Sequence, residues 1–426
     1  MKKMNIGLIG LGTIGRGVLR VLSQKRKLLK KRFDVDFNIV KVCDKNPKLK
    51  NKLKIPPKLF TNKFQDIINN ESIDVVVELI GGINPAKDII MRSLQKGKSV
   101  ITANKALLAS DMSSIISLAN RKKLQVRFEA SVCSGIPIIK SLTEGLIANR
   151  IESVVGIING TSNYILSRMA EQECSFFEAL SEAKKRGFAE RNPSLDIKGF
   201  DSAHKLAILA FLAFGKHVPQ KDIFVKGIED ISPLDIKYAK ELGLVIKLLA
   251  IAKKVNGKVL EVRVHPTLIS KKHPLASVNG VFNAVYVIGD LVGDLMFSGR
   301  GAGQLPATSA IISDLVDLSR QKKAAGLLEK GLVKKVKRMD NIRSKYYIRF
   351  MVTDRPGVLS KISGVLARRN ISIASVTQKE RRRARVVPVI MLIHDAREKD
   401  IRLALEEIDR SAIIKKKTVV IHREEL

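Results

Sequence analysis

A glycine-rich turn near the N-terminus constrains the fold more than any other feature of this chain. The apolar run Asn5–Leu11 predicts a strand that leads into Gly10-Leu11-Gly12-Thr13-Ile14-Gly15, and apolar residues then recur at helical spacing. A strand, a glycine turn and a helix in this order are typical of a dinucleotide-binding βαβ unit. In such a unit Gly10 permits the tight turn, Gly12 admits a pyrophosphate, and Gly15 lets helix and strand pack closely. The alternative is a glycine turn in another kind of βαβ unit.

The residues around this turn also bear on the choice of nucleotide. Thr13 and Ile14 open the predicted helix, whose first N–H groups would hold the pyrophosphate. A second predicted strand, Phe37–Cys43, ends in Asp44-Lys45. Asp44 would accept hydrogen bonds from the adenosine ribose and favour NAD, whereas Lys45 would pair with the 2′-phosphate of NADP. The sequence leaves both cofactors open.

Further strand-and-turn segments continue the pattern. The apolar runs Ile73–Ile80 and Ser99–Thr102 end in Gly81-Gly82 and in Ala103-Asn104-Lys105. This alternation predicts a doubly wound, Rossmann-type nucleotide domain over residues 1–130, with ligands at the carboxyl ends of its strands.

The composition excludes several classes of protein. No apolar run approaches the ~20 residues that span a bilayer, and the N-terminus lacks the apolar stretch of a signal peptide, so we expect a cytoplasmic protein. Three widely spaced cysteines offer neither a disulfide framework nor a zinc site. The net charge of +36 is spread over many short basic runs without interleaved aromatic residues. We therefore expect no nucleic acid and no membrane among the partners.

The densest group of candidate catalytic residues lies between Gly187 and Lys205. Asp201 and Lys205 stand four residues apart and therefore share one face of the helix that begins near Asp201. Glu190 and Asp196 precede them in a loop. Three carboxylates near one lysine suit a zwitterionic substrate, with the lysine available for proton transfer. The alternative is a solvated surface ion pair.

A polar loop between an apolar strand and an apolar helix supplies a second set of donors. It runs Asn159-Gly160-Thr161-Ser162-Asn163, and its backbone N–H and hydroxyl groups suit a small polar ligand.

Together these segments resemble those of homoserine dehydrogenases, and the similarity covers roughly residues 4–325. The glycine turn, the polar loop and the Gly187–Lys205 cluster match, as do three further segments: Thr102–Ala109, Glu129–Ile138 and Gly299–Pro306. The resemblance implies NAD(P)H-dependent reduction of L-aspartate 4-semialdehyde to L-homoserine.

It also implies roles for individual residues. Lys205 corresponds to the proton donor and Lys105 to a second active-site lysine beside the nicotinamide, with Asp201 in support. The substrate would be bound by Glu190, Asp196, Gly160 and Thr161, and the cofactor by Lys105 and Gly303 besides the glycine turn and Asp44. A monovalent cation, Na⁺ or K⁺, would lie against Glu129 and the backbone carbonyls of Val132, Ser134 and Ile136.

Two positions depart from the family's pattern. Cys43 stands where the family often has an arginine, which removes a partner for a 2′-phosphate and favours NAD or the use of both cofactors. Cys133-Ser134 replaces the small residues that are usual in the proposed cation site.

The C-terminal residues predict a separate domain. Strands at Tyr346–Val352, Ile371–Gln378, Val386–Ile393 and Thr418–Ile421 alternate with helices that end near Arg369 and Ile408. This βαββαβ order is ferredoxin-like, and its first turn resembles that of ACT domains, which bind small amino acids. The residues that would bind an effector such as threonine are Asp354, Gly357, Val358 and Leu359. A merely structural or dimerising tail is the alternative.

The predicted organisation is therefore a nucleotide domain at 1–130, completed by 301–320, followed by an α+β substrate-binding and dimerisation domain at 131–300. A linker at 321–344 and an ACT domain at 345–426 complete the chain. Resemblance to the family implies a homodimer, or a homotetramer if the C-terminal domains pair. The other functions considered are a different NAD(P)-dependent amino-acid oxidoreductase and an amino-acid sensor with a degenerate dehydrogenase body.

Overall fold

A computed structural model describes residues 2–320, 333, 335–379 and 386–426. Its contacts divide the chain into two compact units. The first is built from the described residues of Met1–Val154, His204–Gln220 and Asn283–Leu332, and the second from Val155–Ala203, Lys221–Phe282 and Val333–Leu426. The predicted domain boundaries are not tested by this division and stay a prediction. Most of the predicted linker lies outside the described residues.

The first unit begins with alternating strands and helices. The strands are β1 (Lys2–Ile9), β2 (Val35–Cys43), β3 (Phe60–Thr61), β4 (Val75–Glu78), β5 (Ser99–Thr102) and β6 (Val126–Arg127). The helices are α1 (Thr13–Phe33), α2 (Lys48–Lys52), α3 (Gln65–Ile68), α4 (Ala86–Gln95), α5 (Lys105–Arg121) and α6 (Ile138–Lys140). The strands form one sheet in the order β3-β2-β1-β4-β5-β6, with every pair parallel. This is the predicted doubly wound sheet, and the predicted fold class is confirmed.

The middle of the chain contributes to both units. Its elements are β7 (Ile151–Ile157), α7 (Gly160–Gln172), α8 (Phe176–Lys185), α9 (Ser194–Ile197), α10 (Phe200–Phe214), β8 (Phe224–Val225), α11 (Pro233–Glu241), β9 (Leu244–Val255), β10 (Val259–Ser270), β11 (Phe282–Gly289), β12 (Gly293–Arg300) and α12 (Gln304–Ser319). In the first unit, α12 returns to the nucleotide-binding sheet. Its residues Ile311 and Leu315 share a buried core with Leu8 of β1 and Val18 of α1.

The C-terminal residues of the second unit form β13 (Lys335–Val336), β14 (Arg343–Thr353), α13 (Val358–Arg368), β15 (Ile373–Thr377), β16 (Val386–Arg397), α14 (Glu398–Asp409) and β17 (Ile414–Arg423). Four of these strands pair antiparallel in the order β17-β14-β16-β15, as the predicted ferredoxin-like unit requires.

Within the second unit this sheet is continuous with a long hairpin. β10 pairs antiparallel with β9 along its whole length and parallel with β17 near its end, where Thr267 faces His422. β13 also pairs with β10, although its residues fall in the predicted linker. β13 consists only of Lys335 and Val336, and two residues are too few to show the alternation that predicts a strand. Among the described helices, none has the length and apolarity needed to cross a bilayer.

Candidate active site

The glycine turn of the first unit fits a dinucleotide. Gly10 has φ +100°, and a Cβ there would lie 2.7 Å from the Leu79 carbonyl oxygen, so the turn requires glycine. A Cβ on Gly15 would overlap the Gly10 carbonyl oxygen, whereas one on Gly12 would meet no protein atom within 4 Å. Helix α1 has neither a side-chain cap nor an acidic residue in its first turn. Its N-terminus can therefore accept an anion such as a pyrophosphate.

The end of β2 is tied to this turn. One carboxylate oxygen of Asp44 accepts a hydrogen bond from the Leu11 N–H at 2.7 Å, and the other accepts one from the Asn46 N–H at 2.9 Å. Gly303 is the N-cap of α12 with φ +125°, and the next residue, Gln304, donates from its side chain to the Thr13 carbonyl at 2.7 Å. The predicted cofactor residues Asp44, Thr13 and Gly303 are therefore neighbours of the glycine turn.

Lys105 begins α5, directly after the carboxyl end of β5. Asn104 caps that helix, because its side-chain oxygen accepts the Leu107 N–H at 3.1 Å. Three polar residues that the sequence prediction missed surround this start: Glu78, Thr102 and Asn104. The Thr102 hydroxyl donates to Glu78 at 2.6 Å and accepts the Asn104 N–H at 3.0 Å. Glu78 ends an apolar strand and is followed closely by Gly81 and Gly82. This pattern could have identified Glu78 as a candidate from the sequence.

In the second unit a single amide joins two of the predicted carboxylates. The Asn159 side-chain N–H groups donate to Asp196 at 2.7 Å and to Asp201 at 2.8 Å, while its oxygen accepts the Ser162 N–H at 2.8 Å. Asn159 and Asp201 are both buried. A buried carboxylate needs hydrogen-bond donors to remain charged, and Asn159 provides one to each acid. Asn159 belongs to the polar loop, but its bridging role was not predicted.

The polar loop is held against the Gly187–Lys205 cluster within this unit. The Thr161 hydroxyl donates to the Phe188 carbonyl at 2.7 Å, and the Ser162 hydroxyl donates to the Asp196 carbonyl at 2.9 Å. Helix α7 begins at Gly160, so Gly160 and Thr161 lie at the N-terminus of that helix. Glu190 lies in an exposed loop. The structure thus joins the start of α7 to Phe188 and Asp196 within one unit.

Helix α10 carries Asp201 in its first turn and Lys205 one turn later. Both side chains are buried, with exposures of 3% and 7%. The helix starts in the second unit, and its residues from His204 onward belong to the first. Both side chains are thus withdrawn from solvent, and their catalytic roles stay a prediction.

The predicted cation site is centred on a buried carboxylate of the first unit. The two oxygens of Glu129 accept the Ile139 and Lys140 N–H groups at 3.0 and 2.9 Å. Burial raises the pKa of Glu129 to about 7. Val132 and Ile136 are buried, and the Ser134 hydroxyl donates to the Ala130 carbonyl at 3.0 Å. Among the described residues no three His, Cys, Asp or Glu side chains are grouped to hold a metal, so a cation here would depend on backbone carbonyls.

The predicted effector residues lie at the turn between β14 and α13. Gly357 is the N-cap of α13 with φ +85°, followed by buried Val358 and exposed Leu359. Asp354 directly follows β14.

A Rossmann-type sheet with an anion-binding glycine turn, a separate pair of carboxylates joined by a buried amide and an ACT-like C-terminus defines a nicotinamide-dependent oxidoreductase of amino-acid metabolism. Comparison with known proteins narrows this class. The family model for homoserine dehydrogenase matches residues 137–316, the model for its NAD-binding domain matches residues 10–129, and the ACT domain model matches residues 346–412.

Whole proteins are similar over the entire chain. Homoserine dehydrogenase of Helicobacter pylori is 43% identical over 96% of both chains, and that of Neisseria gonorrhoeae is 40% identical over 100% of both. The crystal structure of a homoserine dehydrogenase from Thiobacillus denitrificans superimposes with a TM-score of 0.92, at 39% identity, over 100% of this chain and 99% of that one. The chain belongs to the homoserine dehydrogenase family and is an oxidoreductase. The resemblance inferred from its motifs is confirmed, and the matches give the sensor hypothesis no support.

Proposed function

We propose that Lys205 protonates the substrate oxygen when L-aspartate 4-semialdehyde is reduced to L-homoserine. A bound nicotinamide cofactor supplies the hydride. Addition of hydride to the aldehyde carbon leaves an alkoxide, and an ammonium group stabilises that charge and transfers a proton to it. The observation that supports this role is the burial of Lys205 on the same helix as Asp201, one turn away. Lys105, at the start of α5, would contact the nicotinamide end of the cofactor and the substrate.

The amino-acid part of the substrate is a zwitterion, and the second unit offers complementary groups. Glu190 and Asp196 would bind its ammonium, and Gly160 and Thr161 at the start of α7 would bind its carboxylate through their backbone N–H groups. The bond from Asn159 to Asp196 supports this arrangement, since it fixes one carboxylate beside the polar loop.

For the cofactor, we propose that NADH is used at least as well as NADPH. Asp44 places a carboxyl group at the end of β2, and Cys43 leaves no guanidinium there for a 2′-phosphate. We further propose that Na⁺ or K⁺ binds Glu129 with the carbonyls of Val132, Ser134 and Ile136, since hard oxygen ligands suit such ions. The ion would neutralise a buried carboxylate.

The ACT domain would bind a small amino acid, such as threonine, at Asp354, Gly357, Val358 and Leu359 and so provide feedback control. The assembly would be a homodimer, or a homotetramer if ACT domains pair, and the enzyme would work in the cytoplasm.

The first test follows NADH or NADPH oxidation at 340 nm with aspartate semialdehyde and the full chain. We expect Lys205→Ala to lower kcat by about 100-fold or more, the range for loss of a general acid. Lys198→Ala, at an exposed lysine of the same segment, is the matched control and should keep wild-type turnover. Equal activity in Lys205→Ala and Lys198→Ala would remove the proposed proton donor, and the ratio of rates with the two cofactors tests the preference for NADH.

A further inference from the structure

Glu78 is a fully buried carboxylate at the end of β4 for which the reaction just described has no use. It is 0% exposed, and burial raises its pKa, while hydrogen bonds from Thr102 and from backbone N–H groups act in the opposite direction. A buried acid destabilises a fold unless its oxygens are fully hydrogen-bonded. A carboxylate here, next to the start of α5, can accept hydrogen bonds that an apolar residue could not.

Both oxygens of Glu78 are bonded to groups at the carboxyl ends of the strands. One accepts the Ile80 N–H at 2.8 Å, and the other accepts the Thr102 hydroxyl at 2.6 Å from the paired position on β5. The Thr102 oxygen already accepts the Asn104 N–H at 3.0 Å. The hydroxyl proton of Thr102 is therefore directed at Glu78, and the chain of bonds has one direction, from Asn104 through Thr102 to the carboxylate.

Asn104 connects this chain of bonds to a helix and a turn. Its side-chain nitrogen donates to the Gly82 carbonyl at 2.5 Å, and its side-chain oxygen caps α5 at the Leu107 N–H. The next residue is Lys105, the first of α5. Glu78 thus holds together the ends of two strands, the turn after β4 and the residue that starts the helix.

We propose that Glu78 is a positioning residue for Lys105, acting through Thr102 and Asn104 without touching substrate. It fixes the start of α5 relative to the end of β4, and so fixes the backbone from which the Lys105 side chain extends. The inference rests on the proposed role of Lys105 in the active site. Catalytic groups displaced by about 1 Å can lose on the order of 100-fold in rate, so the fixing of this backbone matters to turnover.

The decisive variants change the hydroxyl in the middle of the chain of bonds. Thr102→Val keeps the shape and removes the donor to Glu78, whereas Thr102→Ser keeps the donor. We expect Thr102→Val and Glu78→Gln each to lower kcat by about 10- to 100-fold, with the KM for the cofactor unchanged. Thr102→Ser should restore turnover. The double variant should be no worse than the poorer single one, because both changes break the same chain of bonds.

Thr418→Val is the matched control, since the Thr418 hydroxyl also donates to a carboxylate, that of Asp409 in the ACT domain. We expect it to lower the melting temperature without changing kcat. The proposal is overturned if Thr102→Val and Glu78→Gln behave like Thr418→Val, losing stability at unchanged kcat. The variant Lys105→Ala distinguishes a failure of the proposed role of Lys105 from a failure of the positioning inference. If it keeps full activity, the proposed role of Lys105 fails; if it is inactive while Glu78→Gln is unaffected, only the positioning inference fails.

Discussion

At the scale of single residues, the active site depends on which group donates each hydrogen bond. Asn159 is suited to its place because an amide nitrogen has two N–H groups and therefore can serve Asp196 and Asp201 at once. No carboxylate, hydroxyl or carbonyl could do the same. Replacing the side-chain nitrogen of Asn159 by an oxygen should therefore alter how activity depends on pH.

We expect Asn159→Asp to lower kcat/KM by roughly 100-fold near pH 8, because three carboxylates would then face one another. As the pH falls, this set of three carboxylates takes up a proton, and the protonated carboxyl group can donate one hydrogen bond. The ratio of variant to wild-type kcat/KM should therefore rise from pH 8 to pH 6, as measured by initial rates across this range.

Asn192→Asp is the control for this prediction, because the Asn192 side-chain oxygen accepts from the Ser194 N–H and hydroxyl, as a carboxylate also can. Its activity should follow the wild-type pH profile. A ratio for Asn159→Asp that does not change with pH would contradict the bridging role.

The sequence was sufficient to nominate Lys205, Asp201 and Asp196, because their residue types and local spacing carry the information. It was not sufficient for Asn159 or Glu78. Their partners lie 37, 42 and 24 residues away, and such pairings are decided by how the elements pack, which local spacing does not encode. The roles assigned to individual residues therefore stay predictions until the variants are measured.

At the scale of elements, agreement between prediction and structure follows the strength of the local pattern. The strand predicted at Ser99–Thr102 is confirmed residue for residue as β5, and the helix predicted to start near Asp201 starts at Phe200. The strand expected at Thr418–Ile421 is longer, Ile414–Arg423, since lysines on its exposed residues hide the first half from a hydrophobicity pattern.

One buried lysine joins β9 to the segment between β10 and β11 and should make stability depend on pH. Lys247 of β9 is 3% exposed, and its ammonium donates to the Val278 carbonyl at 2.6 Å and to the Asn279 side-chain oxygen at 2.9 Å. Burial lowers the pKa of Lys247 to about 8. Between pH 8 and the ordinary lysine pKa of about 10.4, the unfolded chain binds the proton that the native chain has lost.

The free energy of unfolding of the wild type should therefore rise with pH in this window relative to that of Lys247→Met. Relative to Lys247→Met, the wild type should gain up to about 3 kcal/mol in its free energy of unfolding across this window. Below pH 8 this gain should be absent. Denaturant unfolding of both proteins at several pH values between 7 and 10 measures it. Lys271→Met, at an exposed lysine, controls for the removal of one positive charge. A wild-type-to-variant difference that is constant with pH would show that Lys247 does not titrate as its burial requires.

At the scale of the whole molecule, the ACT domain lies in one compact unit with strands of the dehydrogenase. The sequence predicted the ACT domain after a linker at 321–344, and the family match confirms the ACT domain. In the structure β17 pairs with β10, and the fully buried Arg263 of β10 binds Glu424 at 2.5 Å as well as Glu261 at 2.6 Å. No local pattern reveals such a connection, because the paired residues are 161 positions apart.

A second buried ion pair joins β14 of the ACT domain to α11. Arg349 binds the Asp235 carboxylate through two bonds of 2.6 and 3.0 Å, and the Tyr347 hydroxyl donates to the same group at 3.1 Å. Asp235 is 0% exposed, so it cannot exchange its partner for water. Removal of one member of a buried pair leaves a charge that the other contacts only partly compensate.

This pair allows the attachment of the ACT domain to be tested without cutting the chain. Arg349→Met should lower the free energy of unfolding by about 3 kcal/mol or more, measured by denaturant unfolding with activity followed in parallel. Arg368→Met is the matched control: Arg368 binds Glu407 at 2.5 Å, but both side chains are largely exposed, so its loss should cost less than about 1 kcal/mol. If the two variants are equally stable, the buried pair of Arg349 and Asp235 does not stabilise the attachment of the ACT domain. If Arg349→Met is the less stable protein, the pair stabilises this attachment; a deletion of residues 345–426 is the poorer test, because it takes Arg349 from Asp235 and Glu424 from Arg263 at once.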